Sequence, residues 1–135
     1  MSSGMRMLAQ EEENDDAAEV TWEDQQRINS FSKLNTRVRN LEVKLQELRS
    51  EKEALDDLSQ ELELADEDQA VLYRVGETFL HMPLPRALKR LEKDQSEIDE
   101  RISTLAVSAE ECESQMKELK VALYAKFGSA INLDD

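Results

Sequence analysis

The chain has one cysteine, one histidine, two prolines, three glycines and only six aromatic residues (one Trp, two Tyr, three Phe) in 135 positions. Each shortage excludes something. A lone cysteine, Cys112, cannot form an intramolecular disulfide, so the chain is no disulfide scaffold and suits a reducing compartment. The lone histidine, His81, has no recognisable nucleophile or orienting partner, and without one it cannot act as a catalytic base. Few aromatics with 36% charged residues argue against a compact globular core and for long helices. Basic charge is scarce too: 17 Lys and Arg stand against 31 Asp and Glu, a net charge of −14. That field repels phosphate backbones and anionic membrane surfaces, so direct nucleic-acid or lipid binding is not expected. No apolar run approaches membrane-spanning length, and Met1–Gln10 lacks the features of a secretory signal. A cytosolic protein is expected, with a nuclear pool allowed.

What the chain does have is two heptad ladders. In the first, steps of three and four join Phe31, Leu34, Val38, Leu41, Leu45, Leu48, Lys52, Leu55, Ser59 and Leu62. The second runs Leu88, Leu91, Gln95, Ile98, Ile102, Leu105, Ala109, Cys112, Met116, Leu119 and Leu123. A sustained 3.5-residue apolar period is that of coiled-coil helices, and two ladders in one chain are each other's natural partner. On the seam, Cys112 and Met116 read as small or adaptable core residues. Lys52, Ser59 and Gln95 either fix register or are tolerated in a thin, wet seam.

The spacing predicts one mainly α domain over 21–128, with helices over 22–64 and 86–126. Residues 1–20 read as a disordered acidic tail and 129–135 as a C-terminal tail. Thr21 and Asp24 suit a short capping box, and Gly128 is placed to end the second helix. Between the ladders the period changes to two. Val71, Leu72, Tyr73 and Val75, then Gly76, then Thr78, Phe79 and Leu80 read as a β-hairpin over 70–82. A lone hairpin is unstable in water and has two open edges, so its strands are expected to complete a sheet with other subunits. Asp66, Asp68 and Glu77 fit three positions of a calcium loop, but Val71 stands where that loop needs glycine; no metal or cofactor is expected. The acidic run from Glu53 to Asp68 reads as a solvated face or as a contact for basic groups on a neighbour, the first being the usual role of such runs. The aromatics sit in the hairpin or near the free ends. If the helices fold back on one another, Trp22, Ile28, Phe31, Leu123, Tyr124, Phe127 and Ile131 converge at one tip, either a surface for binding apolar clients or, for Trp22, Phe31 and Tyr124, a closure of the end of the coil.

Three runs carry a resemblance: Val20-Thr21-Trp22-Glu23-Asp24-Gln25-Gln26-Arg27-Ile28-Asn29, Leu64-Ala65-Asp66-Glu67-Asp68, and Leu123-Tyr124-Ala125-Lys126-Phe127-Gly128-Ser129-Ala130-Ile131-Asn132-Leu133. Over about residues 20–135 the chain resembles the β-type subunits of the prefoldin family, the last run being the most specific. The resemblance implies an antiparallel two-helix coiled coil joined by a single β-hairpin that completes an inter-subunit β-barrel in a hetero-hexamer of α- and β-type subunits. It also implies arm tips that hold non-native proteins such as actin and tubulin and pass them, without ATP, to the cytosolic chaperonin. Met82-Pro83-Leu84-Pro85 departs from the polar, capping start expected of the second helix. Two other readings of the residues stay open: a coiled-coil adaptor for folded partners, or an acidic chaperone of basic proteins. No reading makes the chain an enzyme.

Overall fold

The computed structural model describes residues 6–7 and 19–133. In chain order the elements are β1 (Arg6–Met7), α1 (Trp22–Glu63), β2 (Ala70–Val75), β3 (Thr78–Pro83), α2 (Leu84–Phe127), a 3-10 turn (Gly128–Ala130) and β4 (Ile131–Asn132). The chain divides into a terminal unit, Met1–Val43 with Ala106–Asp135, and a hairpin unit, Lys44–Leu105.

α1 starts on a reciprocal capping box. The Asp24 N–H donates to Thr21 Oγ1 at 3.1 Å and the Thr21 N–H donates to Asp24 Oδ2 at 3.0 Å, so two amides of the helix start are satisfied. Asp24 replaces the usual glutamate of this motif at no loss of either bond.

α2 begins two residues earlier than its ladder predicts. Pro85 falls in the first turn, where its missing N–H would have no intrahelical partner anyway. β3 likewise runs one residue further, to Pro83, which pairs with Ala70 at the end of the hairpin, a position where a missing donor is tolerated. The earlier start moves the seam. Leu84, Ala87 and Leu91 are buried, whereas Leu88, the expected first rung, is exposed. Every other ladder position on both helices is buried or half-buried. Gly128 closes α2 at φ +56, a left-handed turn that glycine reaches without strain.

In the hairpin unit, α1 and α2 run in opposite directions. Lys52 pairs with Asp99 at 2.5 Å and Gln95 Nε2 donates to Asp56 Oδ1 at 3.2 Å. Two of the polar seam residues thus make bonds that fit only one sliding position of the helices. The core of this unit is Leu62, Tyr73, Met82, Leu84, Ala87 and Leu91.

In the terminal unit the core is Ile28, Phe31, Leu123, Phe127, Ala130, Ile131 and Leu133. The stretch expected as a C-terminal tail is therefore packed as far as Leu133. The expected disordered segment 1–20 lies largely outside the described residues; within it, Arg6–Met7 forms a strand antiparallel to β4.

Leu123 is 1% exposed at the centre of the terminal core. Leu123→Ala should cost about 3 kcal/mol, by lost transfer energy and an unfilled cavity. Val121→Ala, two residues away on the exposed face, should change stability by less than about 0.5 kcal/mol. Urea melts followed by circular dichroism measure both.

Candidate functional site

The hairpin has one face on the helices and one in solvent. Gly76–Glu77 forms a two-residue turn in which Gly76 alone has positive φ, at +65, as type II′ turns require. From there Tyr73 pairs with Leu80, Leu72 with His81 and Arg74 with Phe79. Strand alternation turns Val71, Tyr73, Val75, Thr78, Leu80 and Met82 toward the helices. Leu72, Arg74, Phe79 and His81 take the other face. There Leu72 is 52% and Phe79 57% exposed, at diagonal positions close enough to touch. Leu80 is also exposed despite its inward register. Neither outer edge of the β2–β3 pair meets another strand among the described residues. Two apolar side chains between two open edges make a surface that another strand could cover.

Tyr73 fixes this surface to α2. Its hydroxyl donates to Asp94 Oδ2 at 2.8 Å, and Arg90 Nε donates to Asp94 Oδ1 at 3.1 Å. Burial first, and then the bond to Asp94, push the phenol above its ordinary range, so it remains a donor at any physiological pH. The Arg90–Asp94 spacing of four is readable in the sequence. Its tyrosine partner, 21 positions away, is not.

In the terminal unit the predicted tip residues separate into two groups. Ile28, Phe31, Leu123, Phe127 and Ile131 are buried in the core, and Tyr124 is half-buried beside them. As placed, these side chains close the end of the helix pair. Trp22 alone is open, at 73% exposure. The two helix ends are joined by a bond that sequence reasoning missed. Asp24, 2% exposed, takes the Lys126 ammonium on Oδ2 and the Arg27 guanidinium on Oδ1. The Lys126 ammonium also lies 5.3 Å from the Phe127 ring centre, a favourable cation–π distance. Lys126 first, and the Thr21 amide second, hold the Asp24 carboxyl down at about 2.

Among the described residues no side chains are arranged as a nucleophile with a base and an orienting partner. A groove of ≈ 440 Å³ in the hairpin unit is lined by Leu55, Leu58, Tyr73, Arg90, Asp94 and Ile98 among others; of these, Tyr73, Arg90 and Asp94 are the bonded set described above. Among the described residues no His, Cys, Asp and Glu cluster could hold a metal ion, and no helix is long and apolar enough to cross a membrane.

Two long helices around one antiparallel hairpin define the class of protein, a coiled-coil subunit with a sheet left to be completed. The comparisons agree. The family model described as prefoldin subunit matches residues 25–130. A Saccharomyces cerevisiae protein, prefoldin subunit 4, is 45% identical over 130 residues, covering 96% of this chain and 99% of its own. Prefoldin subunit 4 of Homo sapiens is 33% identical over 135 residues, covering 99% and 97%. The crystal structure of the prefoldin beta subunit from Thermococcus strain KS-1 superposes with a TM-score of 0.71 at 14% identity, over 82% of this chain and 96% of that one. The chain belongs to the prefoldin family. Membership makes it a chaperone subunit rather than an enzyme and implies assembly with other prefoldin subunits.

Two variants test the bonds that position these surfaces. Tyr73→Phe should cost about 1 kcal/mol and speed amide exchange across residues 70–83, read by hydrogen–deuterium exchange. For Asp24, a folded pKa below the ordinary 3.8 means stabilisation that is present above 3.8 and lost as pH falls toward 2. Asp24→Asn should therefore melt at lower temperature at pH 7. Its melting temperature should also fall less steeply than that of the wild type between pH 4 and pH 2.

Proposed function

We propose that the chain is a β-type subunit of a hetero-hexameric, ATP-independent co-chaperone. The complex holds non-native proteins of the actin and tubulin class and delivers them to the cytosolic chaperonin. The observation that carries this reading is the hairpin: two exposed apolar side chains, Leu72 and Phe79, between two open strand edges. A tether that recruits folded partners through its helices has no use for such a surface. Strands from neighbouring α- and β-type subunits would pair with β2 and β3 and complete a barrel, so hairpin residues Val71 to Leu80 serve assembly.

Client contact is assigned to the terminal unit. Of the tip residues, Trp22 is available as the chain stands, with Tyr124 at the margin. Ile28, Phe31, Leu123, Phe127 and Ile131 support them from beneath. Each contact would be weak, and several arms acting on one client raise the effective concentration. The net charge of −14 would keep a loaded complex dispersed and suits a cytosolic carrier.

Three measurements test the proposal. Leu72→Lys with Phe79→Lys should abolish co-assembly with the partner subunits in native mass spectrometry while each helix keeps its circular dichroism. Hexamers that still form would remove the hairpin from assembly. The reconstituted complex should suppress light scattering by actin diluted from guanidinium chloride, with no ATP present, and should do so equally at 0.1 M and 0.5 M salt. Loss of suppression at high salt would instead support an acidic chaperone of basic proteins, because only charge-driven capture is screened. Within that complex Trp22→Ser should weaken capture by about 1 kcal/mol, roughly fivefold.

A further inference from the structure

One strand edge of the terminal unit is occupied by the chain itself. β1 lies antiparallel on β4, with Arg6 opposite Asn132 and Met7 opposite Ile131. β4 is held firmly on its inner side: Ile131 and Leu133 belong to the core, and the Leu133 N–H donates to the Tyr124 hydroxyl at 3.1 Å. The outer partner is slight by comparison, a strand of two residues. In the sequence, residues 8–21 lie between it and α1.

We propose that the β4 edge is a strand-addition site for extended apolar segments of non-native proteins, and that Arg6–Met7 is its resident occupant, displaced when a client binds. The inference rests on the holding function proposed above. A strand edge binds through main-chain hydrogen bonds and so accepts any extended chain, as a holder of varied unfolded proteins needs. Of the two paired residues Met7 is apolar, and methionine adapts to irregular apolar contacts. Two paired residues hold weakly, yet belonging to the same chain keeps them at high local concentration. Such an occupant covers the edge between clients, keeps it from pairing with stray strands, and lowers client affinity by the fraction of time it is seated.

The test uses the complex assembled with the full chain, with a chain lacking residues 1–7, and with Met7→Pro. The proline variant keeps length and charge but removes an N–H and the strand conformation. The probe is unfolded actin diluted from guanidinium chloride, followed by light scattering. Both variants should reach half-suppression at about one-third of the wild-type concentration. In both, the amides of Ile131–Leu133 should exchange faster without client and regain protection with client bound. Improvement in the deletion alone would show that losing the tail, not the pairing, matters, and would overturn the proposal. So would wild-type capture in both variants, which leaves the holding function standing. A wild-type complex that fails to suppress scattering at all overturns both.

Discussion

A packed pair of helices buries one narrow stripe of each, and what closes that stripe decides whether the pair holds. The seam side chains alone cover little area, and the outermost ones face water unless something lies across them. In the hairpin unit the cover is the inward face of the hairpin. Tyr73 and Met82 sit against Leu62, Leu84 and Ala87, and the tyrosine hydroxyl reaches Asp94 rather than being buried unpaired. In the terminal unit the cover is the chain beyond α2. After the turn at Gly128, Ala130, Ile131 and Leu133 fold over Phe31 and Leu123. The apolar residues at the free ends are therefore needed first for closure, and only what is left over, Trp22 above all, is free to touch anything else.

Polar groups supply what the thin seam lacks, a defined register. Apolar rungs repeat every three or four residues and would accept a slip of one heptad. The bonds Lys52–Asp99 and Gln95–Asp56 would not. Exposed pairs such as Lys52–Asp99 add little stability, so their contribution is to alignment. Asp24 is different. It is buried, shared between the capping box and two cations, and so ties the start of α1 to the end of α2.

The repeating features were legible in the sequence. Ladders of period 3.5 gave both helices, alternation around Gly76 gave the hairpin, and Thr21 with Asp24 gave the cap. Other features depend on contacts that no local pattern carries. Met82-Pro83-Leu84-Pro85 leaves the start of α2 undefined in the sequence: Pro83 ends the strand and Pro85 sits in the first turn, so the seam begins at Leu84 and Ala87 rather than at the expected Leu88. The Tyr73–Asp94 and Asp24–Lys126 bonds join residues far apart in sequence. For the site, spacing brought the seven free-end residues together but could not separate a closing plug from an open patch, because both are apolar. Two-residue strands such as β1 and β4 are too short to show a period.

Strand edges connect these observations to the chaperone role. An unpaired edge with apolar neighbours will pair with whatever extended chain it meets, a hazard for any chaperone subunit. The chain treats its edges in two ways. The edges of the β2–β3 hairpin are left open beside Leu72 and Phe79, which is safe only if sister subunits cover them soon after folding. The β4 edge is covered from within the same chain, by Arg6–Met7. An edge meant for permanent partners can stay open until assembly. An edge meant for transient ones needs an occupant between encounters, the part proposed above for Arg6–Met7.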